Sequence, residues 1–248
     1  MMQITKSFIL ESIRNTGVFV GNIVTPFIFI LCSWGCTLAI KDSPETLDFM
    51  IKGQFLPISI MLLVFAFAFS LTTVYLADLR ANNTLHWLKR TSILPTTYFI
   101  GIGIGVFLLM NGALIAVLIG YALLISISWK ALVTIIIICN FVFLAIYPLC
   151  FIVAGVTKNG KTAQSMLTPV MILFMFSITM PSLFITLSDK QPQDYYVFLA
   201  WNPMLYLTDT LQVQLQLHSE TWLPIYQYAI ILSVVCACLT VIAKKLYR

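Results

Sequence analysis

The sequence predicts an all-α membrane protein with six transmembrane helices, and three observations carry that prediction. Of its 248 residues 60% are hydrophobic and only 9% are charged, against about 25% in a soluble domain. The mean hydropathy is +0.98. Six stretches are long enough, at roughly 20 apolar residues each, to cross a bilayer as helices. The chain reads as one transmembrane domain over 1–248, with no internal repeat and no segment large enough for a separate soluble domain.

The elements follow in order. In "ITKSFILESIRN", Ile4, Phe8, Ile9 and Ile13 recur near helical spacing, and Lys6, Glu11 and Arg14 form the polar side. This predicts an amphipathic helix within 1–16 that lies in the membrane interface and leads into the first span. Spans are predicted at 17–40, 55–77, 98–127, 131–154, 165–187 and 225–243. The third is long enough to tilt or to extend past the hydrocarbon. A cleaved leader fits the start poorly. Its apolar run exceeds the usual 7–15 residues, and Glu11 interrupts the basic region, so an uncleaved first span is expected.

Between spans two and three, 78–97 reads "DLRANNTLHWLKRTSILPTT". Asn83 or Thr84 can cap a short helix carrying Leu85, Trp87 and Leu88. Lys89 and Arg90 stand near its end, where cations suit the helix dipole, and Pro95 closes it. Before the last span, the external segment 188–224 contains "WNPMLYLTDTLQ". Asn202 suits an N-cap and Pro203 the first helical turn. Trp201, Tyr195, Tyr196, Phe198 and Tyr206 are aromatics of the kind enriched at membrane interfaces. A short, partly re-entrant helix covering the outer mouth is expected here.

These limits put all fourteen basic and nine acidic residues in loops or tails. Ten of the basic residues fall on the side shared by the termini: Lys6, Arg14, Arg80, Lys89, Arg90, Lys158, Lys161, Lys244, Lys245 and Arg248. Lys41, Lys52, Lys130 and Lys190 fall opposite. By the positive-inside rule both termini are cytoplasmic. Spans without ionisable residues lack the means for proton relay, ion coupling or intramembrane proteolysis. No catalytic residue, metal cluster or nucleic-acid surface is expected. The six cysteines, Cys32, Cys36, Cys139, Cys150, Cys236 and Cys238, lie in apolar runs and read as small buried hydrophobes.

One motif argues otherwise. "GVTKNGKT", Gly155 to Thr162, fits the Walker A pattern. A phosphate loop needs a preceding strand, a following helix and a folded domain around the nucleotide. Here apolar spans stand directly on both sides, and Asp78 is the one aspartate on that face to hold magnesium. The match is read as a polar turn and not as a cofactor site.

Span five, "MLTPVMILFMFSITMPSLF", can bend at Pro169 and Pro181, and its methionines offer an adaptable apolar surface. Gly17-x-x-x-Gly21 and Gly101-x-x-x-Gly105 permit close helix approach, most simply within the chain. Asn22, Asn111 and Asn140 are expected to hydrogen-bond between spans.

The layout resembles the permease subunits of type-2 ATP-binding-cassette exporters, which move drugs, lipids, peptides or polysaccharides. The likeness rests on Arg80, Asn83-Thr84-Leu85, Leu88 and Pro95 in that order, and on the Asn202-Pro203, aromatic, Asp209 series before the last span. The chain departs from the family where Leu79-Arg80 and Asn83 stand in place of Glu-Arg and Gly. In size and texture it is also similar to permeases that export phenol-soluble modulins or confer bacteriocin immunity.

The resemblance implies a coupling helix beneath spans two and three, with Arg80, Thr84, Leu85, Leu88, Lys89 and Arg90 meeting a separate cytoplasmic ATPase that binds ATP and magnesium. It also implies a second permease, self or paralogue. Phe69, Thr72, Met171, Phe174 and Met175 would lie along the substrate path, with Trp201, Asn202, Pro203 and Tyr206 at an external gate. The expected function is ATP-driven export of an apolar or amphipathic substrate across a plasma membrane, bacterial by analogy. The alternatives are a transporter or channel not driven by ATP, and a structural or assembly membrane protein.

Overall fold

The computed structural model describes residues 1–40, 44–84, 94–188 and 192–246, and all regular structure among them is helical. In order the helices are α1 (Met2–Arg14), α2 (Thr16–Ala39), α3 (Thr46–Ala81), α4 (Pro95–Ala122), α5 (Trp129–Val156), α6 (Gly160–Leu187), α7 (Tyr196–Leu199), α8 (Pro203–Gln214) and α9 (Ile225–Leu246). Six of these, α2 to α6 and α9, are long and apolar enough to cross a membrane. That is the arrangement of a multi-pass membrane protein.

The core lies between α3 and α5. In α3, 72% of the apolar window is buried, against 11% in α2 and in α9. Helix α5 packs against α9, α8, α3 and α4, and α3 against α2, α4, α5 and α6. The outward faces of α2 and α6 expose Val24, Leu31, Trp34, Leu173, Phe176 and Phe184, which suits hydrocarbon surroundings better than water.

Helix α1 does more than lie on a surface. Its Phe8 is buried, and it packs along α4 at the glycine pair read from the sequence. A Cβ on Gly101 would sit 2.9 Å from Ile4 Cγ2, and one on Gly105 would sit 2.5 Å from Phe8 Cδ1. Thr5 donates from its hydroxyl to the Gly101 carbonyl at 2.9 Å, which the bare backbone allows. The pair thus serves close approach within the chain. Gly17 and Gly21, by contrast, have no atom within 4 Å of an added Cβ.

Several boundaries correct the sequence expectations. The second span does not begin at 55: helix continues back through Asp48 and Lys52. These two residues pair at 2.6 Å one turn apart, so the helix carries the charges instead of a loop. The third span stops at Ala122 rather than 127. There Leu124 and Ile125 both donate to the Tyr121 carbonyl, and Ser128 then caps α5 by accepting from Ala131 N–H at 3.1 Å. Helix α6 starts at Gly160 rather than 165, because Asn159 Oδ1 accepts from both the N–H and the hydroxyl of Thr162.

Of the three span asparagines, Asn111 and Asn140 exchange two amide hydrogen bonds, 2.8 and 3.0 Å, across α4 and α5. Asn22 Nδ2 is buried and has no partner among the described residues. All six cysteines are free thiols. Cys139 and Cys150 are buried as expected, but Cys32 and Cys238 are exposed on outward faces.

Candidate functional site

Three places in the fold gather the residues singled out from the sequence. The first is the end of α3 that lies beside α1. Helix α3 stops at Ala81, and Asn83 takes a left-handed backbone, φ 55°. A short polar side chain tolerates that conformation where a β-branched one would not. Just before this stop, Asp78 and Arg80 reach across to the turn between α5 and α6. Asp78 Oδ1 accepts from Gly160 N–H, the first residue of α6, at 2.8 Å. Arg80 donates to the carbonyls of Ala154 and Gly155 at the end of α5.

The charges match the dipoles. A carboxylate meets the N-terminus of α6, and a guanidinium meets the C-terminus of α5. The end of α3 therefore holds two neighbouring helices at once. In the Walker-like turn, the N–H of Gly160 is engaged by Asp78 and that of Thr162 by Asn159. A Cβ on Gly160 would stand 2.6 Å from Asp78 Cγ, so this position is glycine for close approach. Sequence reasoning missed this use of Asp78 and Gly160. The available signal was that Asp78 and Glu11 are the acidic residues on an otherwise basic face.

Of the predicted coupling residues, Arg80 and Thr84 lie here. Arg80 is exposed but committed to α5, and Thr84 is half-buried. Leu85, Leu88, Lys89 and Arg90 lie outside the described residues.

The second place is midway along α3. Over Phe65–Leu71 the helix widens to a π-helical turn, a feature common at functional sites. The loosened carbonyls find side-chain donors: Cys150 Sγ points to Ala68 O at 3.1 Å, and the Thr72 hydroxyl reaches Phe67 O at 3.3 Å. Phe69 and Thr72, two of the predicted path residues, sit on and just after this turn. Both are fully buried, and the Phe69 ring lies 5.1 Å from that of Phe65.

The third place joins the remaining path residues to the predicted gate. Asn202 caps α8, accepting from Met204 N–H at 2.9 Å, and Pro203 occupies the first turn as expected. The same Asn202 amide donates to Phe174 O at 2.7 Å and Ser177 Oγ at 2.9 Å on α6. Trp201, half-exposed, sets its ring edge-on to Phe174 at 6.0 Å. Tyr206 is buried, bonds Ala200 O at 2.7 Å and stacks edge-on with Tyr228 at 4.8 Å. Met175 is buried beside Phe174 on α6, and Met171 is half-buried one turn away.

Every residue of α8 from Pro203 to Leu211 is buried, mainly against α5 and α3. Among them is Asp209, fully buried although the sequence places it in an external loop. Asp209 stays outside the six spans, as expected, but its burial was not foreseen. The Asp209 carboxylate accepts from Tyr228 OH at 2.6 Å, Trp222 N–H at 3.0 Å and Gln193 Nε2 at 3.4 Å. No cationic side chain pairs with it among the described residues. The cost of burying a carboxylate is met by these donors, one from each segment around α8. Tyr196, packed beside it, has its phenol held above its ordinary pKa by burial, with the Asp209 charge adding to the rise.

The search against protein-family models and the search of curated proteins returned no match to this chain.

Proposed function

We propose that the chain is the membrane-spanning permease of an ATP-driven exporter, working with a second permease and two separate ATPase subunits. The observation that carries this reading is the double hold exerted by the end of α3. Asp78 and Arg80 tie that end to the start of α6 and the end of α5, directly before the segment read as a coupling helix. A push on residues 80–95 would thus be delivered to three spans together. Helix α6 in turn is bonded through Phe174 and Ser177 to the cap of α8.

That makes a continuous mechanical route from one face of the bundle to the other, along rigid helices and polar contacts. In this scheme Arg80, Thr84, Leu85, Leu88, Lys89 and Arg90 receive the ATPase, which holds ATP and magnesium. The spans switch access, and α8 acts as a re-entrant outer plug with Trp201, Asn202, Pro203 and Tyr206 at its rim. Phe69, Thr72, Met171, Phe174 and Met175 flank the path of an apolar or amphipathic substrate such as a drug, a lipid or a membrane-active peptide. The termini are cytoplasmic and the membrane is a bacterial plasma membrane.

Reconstitution with candidate ABC ATPase subunits tests the scheme. The chain alone should hydrolyse no ATP, the complex should hydrolyse it, and Arg80→Ala should uncouple hydrolysis from export without dissociating the complex. Failure of any such ATPase to associate, or export continuing without ATP, would overturn it.

A further inference from the structure

Between α1 and the end of α3 lies a cavity of 380 Å³, bounded also by α2 and α4. That is within the range of small-molecule sites, about 300–1,000 Å³. Among the described residues two carboxylates line it, Glu11 and Asp78, and no lysine or arginine does. One Glu11 oxygen accepts from Tyr75 OH at 3.3 Å, and Tyr75 OH lies 3.4 Å from Tyr98 OH. The second oxygen of Glu11 has no partner among the described residues, and neither does Asp78 Oδ2, since Gly160 uses only Oδ1.

The cavity is also polar where a packed interface would be dry. Ser12 lines it at 4% exposure, and its hydroxyl has no hydrogen-bond partner among the described residues. The little exposure Ser12 keeps is toward the cavity, where a ligand or water completes its bonding. Lys6 and Arg14 belong to α1 but do not line this space.

We infer that this cavity binds an organic cation, with Glu11 and Asp78 neutralising its charge and the Tyr75 and Tyr98 rings lying alongside it. Carboxylates with tyrosine rings are the chemistry that recognises an ammonium or phosphonium group. Among the described residues an anion would find two carboxylates and no cationic side chain, and a neutral apolar guest would leave both carboxylates uncompensated. That the cation is cargo rests on the exporter reading, but its binding does not. On that reading the cavity is an entrance on the side of the termini, and the cargo is a cationic amphipath.

The test is equilibrium dialysis of tetraphenylphosphonium against the full chain in dodecyl maltoside, a detergent without charge or ammonium groups. Saturable binding at one per chain is expected, weakened at least tenfold in Glu11→Gln and restored in Glu11→Asp. Neutral triphenylphosphine oxide should not displace the probe. Glu11→Gln and Asp78→Asn both binding as wild type would overturn the inference. So would absence of saturable binding, or displacement by phosphatidylcholine at stoichiometric amounts, which would assign the site to a lipid headgroup. No ATP hydrolysis enters the readout, so a negative result here is distinct from failure of the exporter reading.

Discussion

Replacing Gly160 by alanine should destabilise the protein only as long as Asp78 is present. The added methyl would stand 2.6 Å from Asp78 Cγ, so the carboxylate must swing away and its 2.8 Å bond to Gly160 N–H is lost. A capping bond of this kind is worth about 1 kcal/mol, and an exposed charge at a helix N-terminus adds about 0.3–1 kcal/mol. Asp78 is solvent-exposed, so the lower part of that range applies, and about 1.5 kcal/mol in total is expected. At about 2–4 °C per kcal/mol for a chain of this size, Gly160→Ala should lower Tm by about 3–6 °C.

Asp78→Ala should cost a similar amount for the same reason. In the Asp78→Ala background, Gly160→Ala meets no carboxylate, and alanine is the better helix former by up to about 1 kcal/mol. The second substitution should then be neutral or stabilising. Thermal unfolding of the four proteins in detergent, followed by tryptophan fluorescence, closes the cycle. Additive losses within about 0.5 kcal/mol would mean the two residues do not share one contact, and the account of the α3 clasp would be wrong.

Three further outcomes are expected. Gly105→Leu should force Phe8 out of its seat and cost about 1–3 kcal/mol, detectable as a lower Tm and as new protease access to α1. Asp209→Ala should leave Tyr228 OH and Trp222 N–H unsatisfied in a buried setting, costing about 3 kcal/mol or more, with Asp209→Asn milder because it still accepts; denaturation midpoints order the three proteins. Tyr196 is held neutral in the folded protein, since its pKa lies above that of the unfolded chain. Its contribution is therefore complete below pH about 10 and is lost as pH rises beyond it, and Tyr196→Phe should flatten the alkaline limb of stability against pH.

Much of this protein was legible in its residues because a bilayer imposes a coarse rule. A spanning segment must satisfy its own backbone and present apolar side chains, so six helices and the cap at Asn202-Pro203 follow from composition and local chemistry, whereas α4 begins at Pro95 and not at the expected 98. The glycine pair Gly101 and Gly105 announced a close approach, though not that α1 would make it. The extended start of α3 was hidden because Asp48 and Lys52 read as loop residues until their pairing is seen.

What folding alone decided are the contacts between residues far apart in the chain. Asp78 meeting Gly160, Arg80 meeting the end of α5, and Asp209 drawn inside by Tyr228 and Trp222 all depend on which helix ends become neighbours. Lipid is as apolar as leucine, so hydrophobicity can place a helix in the membrane but cannot choose its partner there. That choice falls to close-packed glycines, helix dipoles and a few buried hydrogen bonds, whose geometry exists only once the bundle has formed.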